Sequence, residues 1–236
     1  LLVTRHNAVI CTDFRYIEQA SQQAPGWRVD RIGGKPDWLA NLVKELEIKV
    51  LGFEADDVTV ETLDRFRKNL KQNDANPTLK PTSSICVELR AYKDDVELPL
   101  LQRAIDIGDQ AFEETVAQLE VGMSEKEAAW IFEKAVRERG AESISFPTIV
   151  AIGPNAAQPH HATGDTKIVE GQTIVFDCGA KYKGYCSDLT RTVVLGKAND
   201  KVKRIYDIVL TAQLAAIDMV KAGMTGDECD AIARKI

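Results

Sequence analysis

The residues best suited to chemistry are two aspartates, Asp177 and Asp188, which stand eleven positions apart. Each borders a run of strand-forming residues, 174–176 on one side and 189–194 on the other. A hairpin turning at residues 182–183 would set the two aspartates directly opposite each other on one face. Their Cβ atoms would then lie about 4.5–5.5 Å apart.

Two carboxylates at such a distance repel, so a shared proton, a basic neighbour or a bound cation must offset the repulsion. Asp177 also interrupts an apolar run, and burial of an unpaired carboxylate is costly. A divalent cation held between Asp177 and Asp188 would resolve both problems, because oxygen ligands suit such ions. Local pattern alone leaves a second interpretation open, in which Lys181 and Lys183 or solvent neutralise the pair.

The composition is that of a globular protein of two modest domains or one large one, with 236 residues, 44% hydrophobic and 28% charged. A net charge of −6 without basic clusters argues against nucleic acid as a partner. No stretch approaches the ~20 apolar residues of a membrane span, so no membrane partner is expected. Five scattered cysteines without a CxxC pair indicate reduced thiols and a cytoplasmic protein. Strand alternation turns Cys178 and Cys186 away from the aspartates, so neither is expected to bind a metal.

The first ninety residues alternate between strand-like and helix-like patterns, which predicts a small α/β domain. Pro36 is suited to the first turn of one of its helices. His6, a lone histidine near a turn, is interpreted as a surface residue. The predicted strands are 1–3, 9–11, 27–32, 48–53 and 85–89, the predicted helices are 36–46 and 59–70, and 73–81 is predicted as turn-rich.

The remainder opens with two predicted helices, a long one over about 98–119 that Gly122 would cap and one that follows a capping box at Ser124–Glu127. A strand over 144–152, the aspartate hairpin and a helix over 201–221 follow. A shift of 101 residues places Gly122-Met123-Ser124 over Gly223-Met224-Thr225. This register predicts two similar halves related by a near-twofold rotation.

Two segments resemble a known family: FPTIVAIGPNAAQPHH at 146–161 and IVFDCGAKYKGYCSDLTRTVVLG at 174–196. They are similar to the prolidase and Xaa-Pro aminopeptidase branch of the creatinase/methionine aminopeptidase superfamily. The resemblance implies an α/β (α+β) fold. A creatinase-like α/β domain at 1–90 would precede a partial pita-bread metallopeptidase domain at 98–236, whose second half is truncated.

The same resemblance implies metal-dependent hydrolysis of peptide bonds that precede proline, by a dipeptidase or an aminopeptidase. Two divalent metal ions (Mn, Co or Zn), short proline-containing peptides as substrates and a homodimer are the corresponding expectations. Asp177 would bind one metal and Asp188 would bridge both. His160 would be catalytic and contact the substrate, and Phe146 and Ile149 would line its apolar pocket.

Two neighbouring residues receive lesser roles. His161 matches no functional position of the family and is interpreted as a loop histidine. Thr190 lies on the same predicted face as Asp188 and is expected to support the metal ligands.

The resemblance implies that the family's remaining ligands, one histidine and two glutamates, would fall after Ile236. The chain carries two of the five expected ligands, so it is expected to be a fragment of a longer enzyme and to have no useful peptidase activity by itself. Asp177 and Asp188 argue against a metal-free creatinase-like amidinohydrolase, and the domain at 1–90 argues against a methionine aminopeptidase. A non-catalytic binding module on the same fold stays open for the chain as given.

Overall fold

The computed structural model describes residues 1–34 and 37–236. Within them the chain forms two compact units, Leu1–Tyr92 and Lys93–Ile236. The predicted place of Pro36 in a helix lies outside the described residues. In the described ranges, no helix has both the length and the apolar character needed to cross a membrane.

The first unit alternates strands and helices. Strand β2 pairs with β1 in antiparallel and with β3 in parallel orientation, and β4 pairs in parallel with β5. Helix α2 buries its apolar stripe, including Leu39 and Val43, in a cluster with Leu70 of α3. The elements are β1 (Leu2–Val3), β2 (Ala8–Thr12), α1 (Ile17–Gln23), β3 (Arg28–Arg31), α2 (Asp37–Glu45), β4 (Val50–Glu54), α3 (Val60–Gln72), β5 (Thr78–Thr82) and α4 (Ile85–Ala91).

Helix α4 replaces the predicted strand at 85–89, and that prediction was wrong. Ile85, Val87 and Leu89 alternate as they would in a strand, but all three side chains are exposed, so the pattern does not reflect burial in a sheet. The backbone bonds locally instead, as in the 2.8 Å hydrogen bond from Glu88 N to Ser84 O.

Strand β5 lies in a segment that the sequence predicts as turn-rich. It pairs with β4 from Val50↔Thr78 to Glu54↔Thr82. Pro81 within β5 argues against a strand in the sequence pattern. Proline is nevertheless compatible with an edge strand, and both strands of this two-stranded sheet are edge strands.

The second unit packs two helices against two three-stranded antiparallel sheets, ordered β11-β8-β7 and β10-β9-β6. The predicted strand at 144–152 is divided between β6 and β7. The elements are α5 (Glu97–Ala117), α6 (Glu125–Glu138), β6 (Ser143–Ile144), β7 (Ile149–Ile152), a 3₁₀ helix (Gly153–Ala157), β8 (Thr173–Cys178), β9 (Ala180–Tyr182), β10 (Tyr185–Cys186), β11 (Leu189–Val194), α7 (Asp200–Met219) and α8 (Gly226–Arg234).

Strand β8 divides its side chains between the core and the opposite face. Ile174, Phe176 and Cys178 are buried in the core cluster, and Phe176 meets Phe112 of α5 edge-to-face with ring centroids 5.6 Å apart. Because side chains alternate along a strand, Asp177 lies on the face away from this core. Burial raises the pKa of Cys178 to about 12, as suits a core thiol.

The sequence predicts that Gly122 caps α5, and this is wrong. Helix α5 ends at Ala117, and its C-cap is Gln118. Gly122 lies in the turn before α6 with φ +91°, and Gly223 before α8 has φ +94°. Both positions need the left-handed backbone that glycine adopts readily.

The starts of α6 and α8 share a second feature. Both helices begin with a capping box, formed by Ser124 and Glu127 in α6 and by Thr225 and Glu228 in α8. These pairs are 101 residues apart, which is the register of the sequence repeat. The near-twofold relation between the halves stays a prediction.

Candidate functional site

Asp177 lies in a row of side chains that crosses the sheet β11-β8-β7. The strand register sets it between Ile149 of β7 and Thr190 of β11. Thr190 Oγ1 donates a hydrogen bond of 3.4 Å to Oδ1 of Asp177. Asp177 is half-buried and Thr190 is exposed, so the row opens to solvent.

The two aspartates share a face but are not directly opposite each other, which corrects the sequence prediction. Tyr182 pairs with Tyr185, so the turn consists of Lys183 and Gly184 rather than residues 182–183. Both turn residues have positive φ, +46° and +84°, as a two-residue type I′ hairpin requires. This register places Thr190 opposite Asp177.

Asp188 immediately precedes β11 and is exposed. The register continues across the break in the strands, because Ser187 N donates to Ala180 O at 2.9 Å. Asp188 therefore lies beside Gly179, two residues from Asp177 along the same face. That diagonal relation keeps the carboxylates as neighbours.

Gly179 allows the two chains to approach closely at this point. A Cβ at position 179 would overlap the carbonyl oxygen of Ser187 and lie 2.8 Å from Ser145 Oγ. Ser145 Oγ donates to Ser187 O at 2.6 Å, and Ser187 Oγ accepts from Ala180 N at 3.0 Å. These bonds fix the backbone next to Asp188, and sequence reasoning missed them.

The charges around Asp177 act in opposite directions. Burial raises its pKa, and the negative charge of Asp188 raises it further, whereas the hydrogen bond from Thr190 and the charge of His160 lower it, with a net increase. His160 is exposed in the loop after β7.

The donor set fits part of a metal centre. Two carboxylates on one face, with the pKa of one raised by burial and by the other's charge, are suitable oxygen ligands for a divalent cation. Among residues 1–34 and 37–236, no group of three or more His, Cys, Asp or Glu side chains is arranged to hold a metal ion. These residues therefore offer two carboxylates as candidate ligands, not a complete coordination shell.

The two predicted pocket residues differ in their relation to this site. Ile149 is adjacent to Asp177 in the cross-strand row and partly buried. Phe146 lies in the bend between β6 and β7 and is also partly buried. The strand register thus places Ile149 beside Asp177. Phe146 precedes Ile149 by three residues and lies outside the paired strands.

His161 lies in a loop, as the sequence interpretation has it, but its side chain is held there by a buried acid. Its side chain is only 12% exposed, and its Nε2 lies 2.8 Å from Oε2 of Glu125. Glu125 is fully buried, at the start of α6. Because a carboxylate oxygen accepts, His161 Nε2 carries the proton in this contact.

Glu125 accepts three further hydrogen bonds. Ile152 N and Asn155 Nδ2 donate to its Oε1 at 3.0 and 2.9 Å, and Gly164 N donates to its Oε2 at 2.8 Å. Burial raises the pKa of Glu125, but these bonds together with His161 outweigh burial and hold its pKa below the usual 4.5.

Sequence reasoning missed Glu125, although one signal was present. Glu125 lies three and seven residues before Ala128 and Phe132, so it shares the buried helical stripe of α6. An acidic residue on such a stripe needs polar partners. The capping box explains Glu127 and gives no role to Glu125.

Both units of the chain match known protein families. The model of metallopeptidase family M24 matches residues 99–236, and the model of the creatinase/prolidase N-terminal domain matches residues 1–92. The uncharacterized peptidase YqhT of Bacillus subtilis is 38% identical over 99% of this chain and 65% of its own length. The Xaa-Pro dipeptidase of Pyrococcus furiosus is 37% identical over 72% of this chain and 49% of its own length.

Solved structures agree with these matches. An Xaa-Pro dipeptidase from Bacillus anthracis superposes with a TM-score of 0.91 at 41% identity, over 99% of this chain and 64% of that protein. An X-Pro aminopeptidase from Thermotoga maritima gives a TM-score of 0.89 at 36% identity, over 99% of this chain and 65% of that protein. The chain therefore spans less than two thirds of the length of these relatives.

The predicted fold, a creatinase-like N-terminal domain followed by a partial pita-bread domain, is confirmed by these neighbours. The family resemblance deduced from residues 146–161 and 174–196 is confirmed by the family models. The chain belongs to metallopeptidase family M24 and carries the N-terminal domain of creatinases and prolidases.

Proposed function

We propose that the whole protein is a metal-dependent peptidase that hydrolyses the peptide bond preceding proline. The observation that carries this proposal is the pair of carboxylates of Asp177 and Asp188 on one sheet face, and the charge of His160 lowers the pKa of Asp177. Similarity to Xaa-Pro dipeptidases from Bacillus anthracis and Pyrococcus furiosus supports the substrate class. Residues 1–90 and 98–236 are the proposed domains.

Asp177 and Asp188 would hold the metal through their carboxylate oxygens. The proposed cofactor is two divalent ions of Mn, Co or Zn, which, when bound, lower the pKa of a water molecule and polarise the scissile carbonyl. Thr190 fixes one oxygen of Asp177 by its hydrogen bond.

His160 is the proposed catalytic residue of this chain. It is exposed in the loop after β7, so its ring can approach a substrate without being tied to the sheet. It would donate a hydrogen bond to the substrate oxygen on which negative charge develops, and donors of this kind act mainly in the transition state.

Phe146 and Ile149 would form the apolar surface that contacts the substrate's proline ring. Ile149 is next to Asp177 in the sheet, so an apolar group bound there would lie beside the carboxylates. Either a dipeptide or a longer peptide with proline at its second position is compatible with this arrangement. We also propose a homodimer, on the family resemblance, and a cytoplasmic location, which the five free thiols support.

The test uses a protein that contains residues 1–236 and has the length of its relatives, termed here the full-length protein. Purified after chelation and supplied with Mn²⁺, Co²⁺ or Zn²⁺, it should hydrolyse an Xaa-Pro dipeptide, and chelation should abolish the activity. An Xaa-Ala dipeptide is the matched control for proline selectivity, and a tripeptide Xaa-Pro-Xaa distinguishes aminopeptidase from dipeptidase. Hydrolysis without metal, or equal rates on Xaa-Ala, would refute the proposal.

A further inference from the structure

A buried carboxylate outside the aspartate pair organises the loop that carries His160. We propose that Glu125 is a positioning residue, which holds this loop in place so that His160 faces the aspartates. The loop is defined here as residues 153–164, between the end of β7 and Gly164. The expected effect of Glu125 on kcat rests on the function proposed above. Its expected effect on the order of the loop does not.

The four hydrogen bonds to Glu125 come from both ends of this loop. Ile152 N precedes the loop and Asn155 Nδ2 lies in its 3₁₀ helix, and both donate to Oε1. His161 Nε2 and Gly164 N lie near its far end, and both donate to Oε2. One side chain of α6 therefore ties together points that are up to twelve residues apart in the chain.

Two threonines reinforce the closure of the loop. Thr163 Oγ1 accepts from Val150 N at 2.9 Å and donates to Thr148 O at 2.8 Å. Asn155 Nδ2 also donates to Thr166 Oγ1 at 3.0 Å. The loop thus reaches both α6 and β7, and Glu125 contacts it on both sides of His160.

The position of His160 follows from its neighbours. Pro159 and His160 are the central residues of a turn that His161 N closes by donating to Gln158 O at 3.2 Å. Proline is favoured at the first central position of such turns. Because the next side chain, His161, is anchored on Glu125, the backbone that presents His160 is fixed on its C-terminal side.

A carboxylate is the group that this arrangement requires. Its two oxygens accept all four donors, and two of these donors are backbone N–H groups that cannot reverse their role. In Glu125→Gln the amide NH₂ would face two donors. Asn155 or His161 can turn to accept, but Ile152 N or Gly164 N would then stay unpaired, and an unpaired buried donor is costly.

The first experiment measures hydrogen exchange in the full-length protein by mass spectrometry. Glu125→Gln should accelerate exchange of the peptide covering 153–164 by about tenfold or more, while the peptide covering β8 keeps its wild-type rate. Glu138→Gln, on the exposed face of the same helix, is the matched control and should change neither. Unchanged loop exchange, or equal acceleration in β8, would overturn the proposal.

A second pair of variants keeps the test independent of how well Glu125→Gln folds. His161→Ala removes one donor to Glu125, whereas His161→Gln can restore an N–H donor at similar reach. We expect His161→Ala to lower kcat on an Xaa-Pro dipeptide at least tenfold with unchanged metal content, and His161→Gln to recover part of the loss. A loss of metal in His161→Ala, or wild-type kcat, would contradict a positioning role.

The two proposals fail differently. If the wild-type full-length protein does not hydrolyse Xaa-Pro dipeptides, the proposed function is wrong. The exchange rates of residues 153–164 would still decide whether Glu125 positions the loop.

Discussion

Thr190 donates its side-chain hydrogen bond to Asp177 from the position directly opposite on the neighbouring strand, at 3.4 Å. This bond lowers the pKa of Asp177, against burial and the charge of Asp188, which raise it. A proposed metal ligand is therefore kept closer to its ionised form by a residue that is not itself expected to bind the metal.

Thr190→Val should weaken metal binding, because it keeps the shape of the side chain but removes the donor. Groups that orient ligands in this way typically contribute about 10–100-fold to metal affinity. Titration of the full-length protein with Mn²⁺ against a chelator measures the change. Thr192→Val is the control, since Thr192 lies on the same face of β11 but opposite Val175. Equal affinities for wild type and Thr190→Val would contradict the role given to this bond.

His160→Ala and Asp188→Ala should separate catalysis from metal binding. His160→Ala removes the proposed transition-state donor, so kcat should fall about 10²–10³-fold while metal content is retained. Asp188→Ala removes a proposed ligand and should lose metal. Elemental analysis and Xaa-Pro hydrolysis on both full-length variants test this assignment, and metal loss in His160→Ala would show that His160 is a ligand.

Gly179→Ala should destabilise the second unit by about 3 kcal/mol or more, because the added Cβ would overlap the Ser187 carbonyl and backbone must shift to relieve it. Urea denaturation of the full-length protein measures the loss. Gly226→Ala is the control: apart from its chain neighbours and its own helix backbone, no atom of the described residues lies within 4 Å of a Cβ there, and its backbone φ is not positive. A Gly179→Ala protein of wild-type stability would mean that the strands separate at this point without cost.

The sequence predicts the aspartate hairpin correctly in its strands but not in its register. Alternation identifies β8 and β11, because one face of each is buried. The centre of the turn depends on Lys183 adopting φ +46° before Gly184, and a non-glycine residue in that conformation is not evident from a Lys-Tyr-Lys-Gly segment. Because the predicted turn is displaced by one residue, the prediction pairs Asp177 with Asp188, whereas the structure pairs it with Thr190.

The role of Glu125 shows a different limit. The capping box correctly predicts where α6 begins, because its hydrogen bonds join residues three apart in the chain. The partners of Glu125 are 27–39 residues away, from Ile152 to Gly164. Contacts of that span arise only when the loop and helix are packed together, so local pattern could not identify them or the anchored state of His161.

Glu125 should also give the second unit a specific dependence on pH. Its pKa in the folded protein is below the usual 4.5, so its ionised form stabilises the fold at pH values above the unfolded pKa. That contribution is lost as pH falls through the lowered, folded pKa, because both states then bind the proton. Glu125→Gln, which cannot ionise, lacks the contribution at every pH.

We therefore expect wild type and Glu125→Gln to differ in unfolding free energy by about 1–3 kcal/mol at pH 7 and by progressively less below pH 4.5. Urea denaturation of both full-length proteins at a series of pH values from 7 to about 3 gives the difference directly, and other titrating carboxylates cancel in it. Glu138→Gln should stay within about 0.5 kcal/mol of wild type at pH 7, as expected for an exposed position. A difference that grows on acidification would mean that the folded protein holds Glu125 with a raised pKa, contrary to its four hydrogen-bond donors.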